Sequence, residues 1–398
     1  VCWVFDASSR PGRERSRAFS MGDASVVPWA LRPVTPYPNG RSDCYSGGMM
    51  RTRGLLAGLA ASMLLLVGAG TAAAAPINVP WSPDDALDSE VGFESGGITF
   101  YGSLRMPVGD TRGVALVLPG SGPTDRNGNS GDLQLNTTAY VADELSRRGI
   151  ASLRFDKLGS GRTGLAGVDP NNPPGFDAQV DNAADALAFL QQRTGVGADR
   201  TTVIGHSEGA LTALRLADAD SAAFTHVGLL EPLSIRYLDL LTAQVDRNIG
   251  EAVAVGQFTE EQAASSRDRF AQAVADIRAG QPLSAEPDPI VDGLGLRQSA
   301  TFLREADATD PADLAAALPD SYSSFLTCSD KDLNVSCGQV ENVRVALGHT
   351  DLHFARFANS SHMLGELGPL PADPNTALAP LPLSGEFRDA FGRWVDGL

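Results

Sequence analysis

From residue 98 onward the apolar positions follow two alternating rhythms. Ile98-Thr99-Phe100-Tyr101-Gly102-Ser103-Leu104 alternates with a period of two and predicts an early antiparallel strand. Val114-Ala115-Leu116-Val117-Leu118 is apolar throughout, as expected of a strand buried on both faces of a parallel sheet. Val141 and Leu145 mark a helix that Gly149 stops, and Ile150 to Phe155 supplies the next strand. Val180, Ala184, Leu187 and Leu190 fall at helical spacing, and the short strand Thr201-Thr202-Val203-Ile204 follows. Ala210 to Leu216 again reads as helix and Val227 to Leu230 as strand. Strands and helices alternating at this length imply an α/β fold built on a doubly wound, mostly parallel sheet.

The rhythm then breaks. Between residues 234 and 318 the pattern is helical and acidic. Thr259 and Gln262 form a capping box ahead of a helix with Phe270, Val274 and Ile277 on one face, and a proline-rich stretch from Gln281 to Pro289 divides the region. Strand signals return at Ser324 to Thr327 and at His353 to Phe357, and a last helix carries Phe387, Phe391, Trp394 and Leu398 on one stripe. The expected division is a core of residues 76–233 and 319–398, interrupted by a helical insertion at 234–318.

The N-terminal residues stand outside this scheme. Met49 to Arg53 is a short basic segment, Leu55 to Val67 is apolar, and Thr71 to Pro76 ends in small residues. That layout predicts a signal peptide at 49–75, cleaved near Ala75, and hence a secreted or cell-envelope protein. Gly54 to Ala75 would be long enough to span a bilayer if retained, but its alanine and glycine content favours cleavage, so no stable membrane insertion is expected afterwards. Residues 1–48 lack a periodic apolar pattern and are read as an upstream extension outside the fold.

Charge narrows the choice of partner. The formal net charge is −17, and because the first 75 residues carry eight basic and four acidic side chains, the remainder stands at −21. Only two lysines remain there, Lys157 and Lys331. An acidic surface of this kind argues against nucleic acid or an anionic membrane as partner and is otherwise a matter of solubility. Cys328 and Cys337 lie nine apart, and export makes a disulfide between them the expectation, with two free buried thiols as the alternative.

The chemistry begins at Gly205-His206-Ser207-Glu208-Gly209. A strand, then G-x-S-x-G, then a helix is the pattern of a nucleophile elbow, a tight turn that lifts a serine hydroxyl above a sheet. A serine needs a base to take its proton and a carboxylate to orient that base, and on such a sheet the order is serine, acid, histidine. After the strand ending near Cys328 comes Ser329-Asp330-Lys331-Asp332, and Asp332, in the turn, is the expected acid, with Asp330 as the alternative. Among five histidines, His206 and His226 precede the acid, and His349 and His353 lie before or within the following strand. His362 sits in the loop after that strand, where the base belongs. The oxyanion donors are expected to be the backbone N–H groups of Glu208 and of Ser121, the latter in Pro119-Gly120-Ser121-Gly122-Pro123-Thr124-Asp125-Arg126.

Other features carry less. His349 and His353 are spaced i,i+4, but the glutamate of H-E-x-x-H is absent, so no metal is expected. In the loop 119–126 a third glycine at dinucleotide spacing is missing, no G-x-x-x-x-G-K-[ST] occurs anywhere, and no cofactor is implied. Asp125, Arg126, Asp156 and Lys157 either touch substrate or, as expected, fasten two adjacent loops together.

These motifs together resemble the α/β-hydrolase superfamily of serine hydrolases, over roughly residues 98–365. The Gly-Ser-Gly-Pro and Asp-Arg of 120–126, the segment Arg154 to Arg162, the Gly-His-Ser elbow and the loop holding Asp332 are most similar to bacterial esterases and prolyl-oligopeptidase-like hydrolases. The resemblance implies an α/β-hydrolase fold, with Ser207 as nucleophile, Asp332 as acid and His362 as base. It further implies that 234–318 caps the pocket, the alternative being a decorative insertion. The expected activity is carboxylic ester hydrolysis through an acyl-enzyme, and the expected partner is a small-molecule ester substrate. A peptidase or amidase with the same triad and a catalytically silent binding protein are the rivals. Ser329 and Glu208-Gly209-Ala210 depart from the family's usual glycines, which bears on substrate preference.

Overall fold

The computed structural model describes residues 87–398 except 132, 166, 170 and 171. The extension 1–48, the signal peptide 49–75 with its cleavage site, and residues 76–86 lie outside the described residues.

Strands β1 (Asp88–Ser95) and β2 (Ile98–Arg105) form a hairpin, followed by β3 (Gly113–Leu118), α1 (Thr137–Ser146), β4 (Ile150–Phe155) and α2 (Phe176–Thr194). The hairpin turns on Gly96 and Gly97, both at positive φ (55° and 78°), where side chains other than glycine are disfavoured. Strand β1 has no counterpart in the sequence reading because Asp88-Ser89-Glu90-Val91-Gly92-Phe93 is largely polar and lies at the sheet's edge. The chain continues through β5 (Thr201–His206), α3 (Glu208–Ala219) and β6 (His226–Leu230).

Five helices then intervene: α4 (Tyr237–Ala254), α5 (Glu260–Ala279), α6 (Pro289–Gly293), α7 (Ala300–Ala306) and α8 (Pro311–Ala316). They occupy the interval 234–318. The capping box is formed as read, with Gln262 N donating to Thr259 Oγ1 at 3.2 Å and Thr259 N to Gln262 Oε1 at 2.9 Å. Asp307 is the polar anchor of this region. Its buried carboxylate accepts from Arg236 Nη2 at 2.7 Å, Arg278 Nε at 2.8 Å and the Leu238 amide at 2.8 Å. The core resumes with β7 (Ser323–Ser329), α9 (Cys337–Ala346), β8 (Asp351–Phe357), the short α10 (Pro374–Ala377) and α11 (Gly385–Asp396).

The eight strands form one sheet in the order β1-β2-β4-β3-β5-β6-β7-β8. β1, β2 and β4 pair antiparallel, and every pairing from β4 through β8 is parallel. Helices cover both faces, which explains the continuous apolar strands. In β3, Val114, Leu116 and Leu118 point into a core shared with α2 and α3. Ala115 and Val117 point into a second core, where Phe387, Phe391 and Trp394 of α11 pack. The carboxyl ends of β3, β5, β6 and β7 therefore open side by side at one end of the sheet, where ligands of open α/β sheets bind.

Candidate active site

Ser207 follows the last residue of β5 and caps α3 with φ 54° and ψ −118°, a combination that L-residues rarely adopt. The turn is enforced by close packing. A Cβ on Gly205 would lie 2.1 Å from the Gly209 carbonyl oxygen, and one on Gly209 would lie 2.5 Å from that of Leu118. Both flanking glycines are thus sterically required, and the neighbouring strands hold the turn from outside. Ser207 N donates to the Leu230 carbonyl at 3.0 Å, and Leu233 N donates to the Ser207 carbonyl at 3.1 Å.

The two other members of the expected triad meet. His362 Nδ1 lies 2.7 Å from Asp332 Oδ2, with both side chains buried. Asp332 Oδ1 accepts the amides of Asn334 (2.6 Å) and Val335 (2.9 Å), so all three contacts favour its charged form. Burial opposes that charge, but His362 and these amides outweigh it and hold the carboxyl below the usual range. Asp330, the alternative acid, is exposed and pairs with Arg356 at 2.6 Å. Asp332 alone of the two reaches the histidine.

His206 brings this pair to the elbow. Its Nε2 lies 2.8 Å from the His362 carbonyl oxygen, and the two rings stand 4.9 Å apart. Burial, reinforced by His362, pushes the His206 imidazole down to about 3, so it is neutral and donates Nε2–H to that carbonyl. His362 makes its hydrogen bonds through Nδ1 and its carbonyl, and none joins it to Ser207 Oγ. Such catalytic bonds often tighten only around substrate. Ser329 ties the loop of Asp332 to the loop of His362: its Oγ donates to the Ser360 carbonyl at 2.5 Å.

The loop 119–126, expected to supply an oxyanion donor, lies against the serine. A Cβ on Gly120 would come within 3.3 Å of Ser207 Cβ. The Glu208 amide is the first N–H of α3 and has no carbonyl within the helix to bond. Its side chain is wholly buried and accepts Lys157 Nζ at 2.7 Å, Tyr237 Oη at 2.8 Å and Gln179 Nε2 at 3.1 Å. Lys157 Nζ also donates to the Gly120 carbonyl at 3.0 Å, and Tyr237 Oη lies 3.4 Å from Ser121 Oγ. Tyr237 opens α4, so the helical insertion reaches the loop 119–126.

The four loop charges act as fasteners. Arg126 grips Asp156 with both Nε (3.0 Å) and Nη2 (2.7 Å) and with its own amide (2.9 Å). Burial opposes ionisation of Asp156, yet Arg126 and the Arg162 amide leave its carboxyl below the usual range. Asp125 Oδ1 accepts the amides of Asn127 and Asn129 within its own loop. A narrow cleft lined by Gly122, Lys157, Leu158, Gln179 and Phe302 runs beside these loops. His349 and His353 have separate partners, backbone carbonyls for the first and Asp351 for the second.

Four side chains of the site escaped the sequence reading or its role for them. Gln179, Tyr237 and Glu231 carry no motif of their own, and His206 lies within the elbow motif without a role assigned to it there. Glu231 left one trace: it is an acidic residue directly after the apolar strand Val227 to Leu230.

Against known proteins, the fold finds clear likenesses. An esterase of Pyrococcus furiosus, 14% identical, superposes with a TM-score of 0.50 over 80% of this chain and 94% of that one. A family model described as serine aminopeptidase, S33, matches residues 134–278. The chain has the α/β-hydrolase fold. A thermostable carboxyl esterase from Bacillus coagulans, 15% identical, gives a TM-score of 0.48 over 78% of this chain and 98% of its own. No curated protein matches. At such identities the structural likeness speaks to the fold. It bears out the fold class read from the motifs, and the family model over residues 134–278 agrees with the superfamily resemblance.

Proposed function

We propose that this α/β-hydrolase cleaves carboxylic esters through an acyl-enzyme formed on Ser207. The observation that carries the reading is the Ser207 backbone, strained at φ 54° and ψ −118° at the end of β5, with the His362–Asp332 pair fastened beside it. In the first half-reaction Ser207 Oγ attacks the ester carbonyl while His362 Nε2 takes its proton. Asp332 holds the Nδ1–H tautomer and offsets the imidazolium charge. The amides of Glu208 and Ser121 bind the oxyanion, and collapse expels the alcohol, which receives the proton from His362. Water then attacks the acyl-enzyme by the same steps, releasing the acid and free Ser207.

The test is hydrolysis of nitrophenyl esters of increasing acyl length by the purified chain, beside Ser207→Ala. Turnover lost in that variant, with fluorophosphonate labelling confined to Ser207 in the wild type, supports the reading. No turnover and no labelling would reject it in favour of a silent binding protein on this fold.

Amide cleavage by the same machinery is the second reading, favoured by the aminopeptidase description of the matching family model. Competition between matched ester and amino-acid anilide substrates separates the two. The proposal also keeps the helical segment 234–318 as a cap over the pocket, which Tyr237 supports by reaching Ser121 and Glu208. Export through a signal peptide at 49–75 completes it; N-terminal sequencing of secreted material should begin at Pro76.

A further inference from the structure

The most unusual group near the site is a carboxyl the mechanism above does not use. Glu231 directly follows β6, is wholly buried, and has φ 43°, a left-handed conformation seldom seen outside glycine and asparagine. Its amide donates to Thr327 Oγ1 at 2.9 Å, and the Thr327 hydroxyl lies 3.4 Å from Glu231 Oε1. The other oxygen, Oε2, is buried and makes no well-formed hydrogen bond. The Glu231 carboxyl interacts with that of Asp332.

Two carboxyl groups in contact and out of water cannot both be ionised, so one proton lies between them. The surroundings decide which group carries it. Asp332 accepts the imidazole N–H of His362 and the amides of Asn334 and Val335, all of which favour a carboxylate. Glu231 has only the weak Thr327 contact and the nearby Ser329 amide. The other charges around the loop point elsewhere: Asp330 toward Arg356, and Lys331 toward the carbonyls of Gly368 and Leu370. The groups facing Glu231 are therefore Asp332 and, behind it, His362 and His206.

We propose that Glu231 is a positioning residue whose carboxylic acid donates a hydrogen bond to Asp332 and so fixes the carboxylate that orients His362. The unsatisfied Oε2 then becomes the donor, and Asp332 gains a fourth partner that stops its carboxylate rotating away from the imidazole. Burial first, and the Asp332 charge second, push the Glu231 carboxyl well above its usual range, in keeping with this assignment. Being neutral, Glu231 adds no second negative charge beside the imidazole. This inference rests on the reading of Ser207, His362 and Asp332 as a triad.

The test compares Glu231→Gln, whose amide N–H can replace the acid proton, with Glu231→Ala, which cannot donate. Active sites are titrated with fluorophosphonate, and thermal unfolding checks that both variants fold. For the glutamine variant kcat should stay near that of the wild type. For the alanine variant it should fall roughly a hundredfold with KM little changed, the scale of loss expected of a misplaced catalytic group. Infrared difference spectra, wild type minus Glu231→Gln at neutral pH, should contain a protonated-carboxyl C=O band. Equal kcat in both variants, or no such band, would overturn the proposal. A wild type that neither turns over esters nor takes the fluorophosphonate would overturn the hydrolase reading instead, and the infrared band would still decide where the proton lies.

Discussion

Lys157 joins the Glu208 side chain to the Gly120 loop: its ammonium lies 2.7 Å from Glu208 Oε1 and 3.0 Å from the carbonyl of Gly120. Burial opposes the charge on Glu208, but Lys157, with Gln179 and Tyr237 donating beside it, outweighs burial and keeps the carboxyl below its usual range. Changing Lys157 to Met would strand a buried carboxylate, which typically costs about 3–5 kcal/mol. It would also free the Gly120 loop. The expected result is a lower urea midpoint together with a kcat reduced roughly tenfold, less than outright loss of an oxyanion donor would cause. Adding Glu208→Gln should restore much of the stability while leaving kcat low. A Lys157→Met protein that melts like the wild type would show that the ion pair holds nothing.

The two neighbouring aspartates should separate cleanly in kinetics. Asp332 bonds the imidazole, whereas Asp330 pairs with Arg356 on the surface. Asp332→Asn keeps the shape but presents an amide that disfavours the required tautomer, so kcat should fall by about 10⁴ with KM little changed. Asp330→Asn should leave kcat near that of the wild type. Comparable losses in the two variants would mean that the acid is assigned wrongly.

His206 gives a signature in stability rather than rate. Its imidazole is pushed from an ordinary 6.5 down to about 3 in the folded chain, so between those values the unfolded state binds the extra proton. Stability therefore rises with pH across that window: the contribution is complete above about 6.5 and is lost as pH falls toward 3. Thermal midpoints taken from pH 6.5 down to 4 should fall more steeply for the wild type than for His206→Gln. His226, also lowered, chiefly by burial, adds slope of the same sign to both proteins. Parallel curves would place the charge of His206 elsewhere.

Much of this architecture was legible because its causes are local. β3 read as a buried strand since both its faces are covered, and the elbow announced itself because Gly205 and Gly209 have no room for a Cβ. Asp332 and His362 could be placed by their order along the chain, since each sits just past the end of a parallel strand. The partners that arrive from distant segments were not legible. Tyr237 reaches Glu208 from the insertion, Gln179 comes from α2, and Glu231 matters only because β6 and β7 set it against Asp332. No periodicity encodes such meetings. β1 was missed for a different reason: an edge strand is free to be polar, so it carries no apolar rhythm.

The disulfide should matter to the acid more than to the fold. Cys328 lies in β7 and Cys337 opens α9, so the bridge staples the loop that carries Asp332. A closed loop this short contributes about 2–3 kcal/mol on the chain-entropy account. Cys328→Ala with Cys337→Ala should lower the thermal midpoint modestly and reduce kcat, since Asp332 then depends on Ser329 and its own turn amides for its position. Intact mass before and after reduction would confirm the bridge by a gain of two hydrogens. An unchanged kcat in the double variant would show that the loop needs no staple.

Glycine-to-alanine substitutions offer a sharp contrast between required and dispensable glycines. At Gly205 the new Cβ would meet the Gly209 carbonyl oxygen at 2.1 Å; β3 and β6 hold Gly205 in place, and the oxygen belongs to the backbone of α3. Relief requires opening the elbow, so Gly205→Ala should lose roughly 3 kcal/mol or more, beyond the usual range of single substitutions, and should no longer label with a fluorophosphonate. Gly250 lies inside α4, and a Cβ there would have nothing within 4 Å. The same change at that position only removes the helix penalty of glycine, and Gly250→Ala should stabilise by about 0.5–1 kcal/mol with activity intact. Chemical denaturation of both variants, read beside ester turnover, decides the matter: if Gly205→Ala is as stable and as active as Gly250→Ala, the serine does not stand on a strained turn.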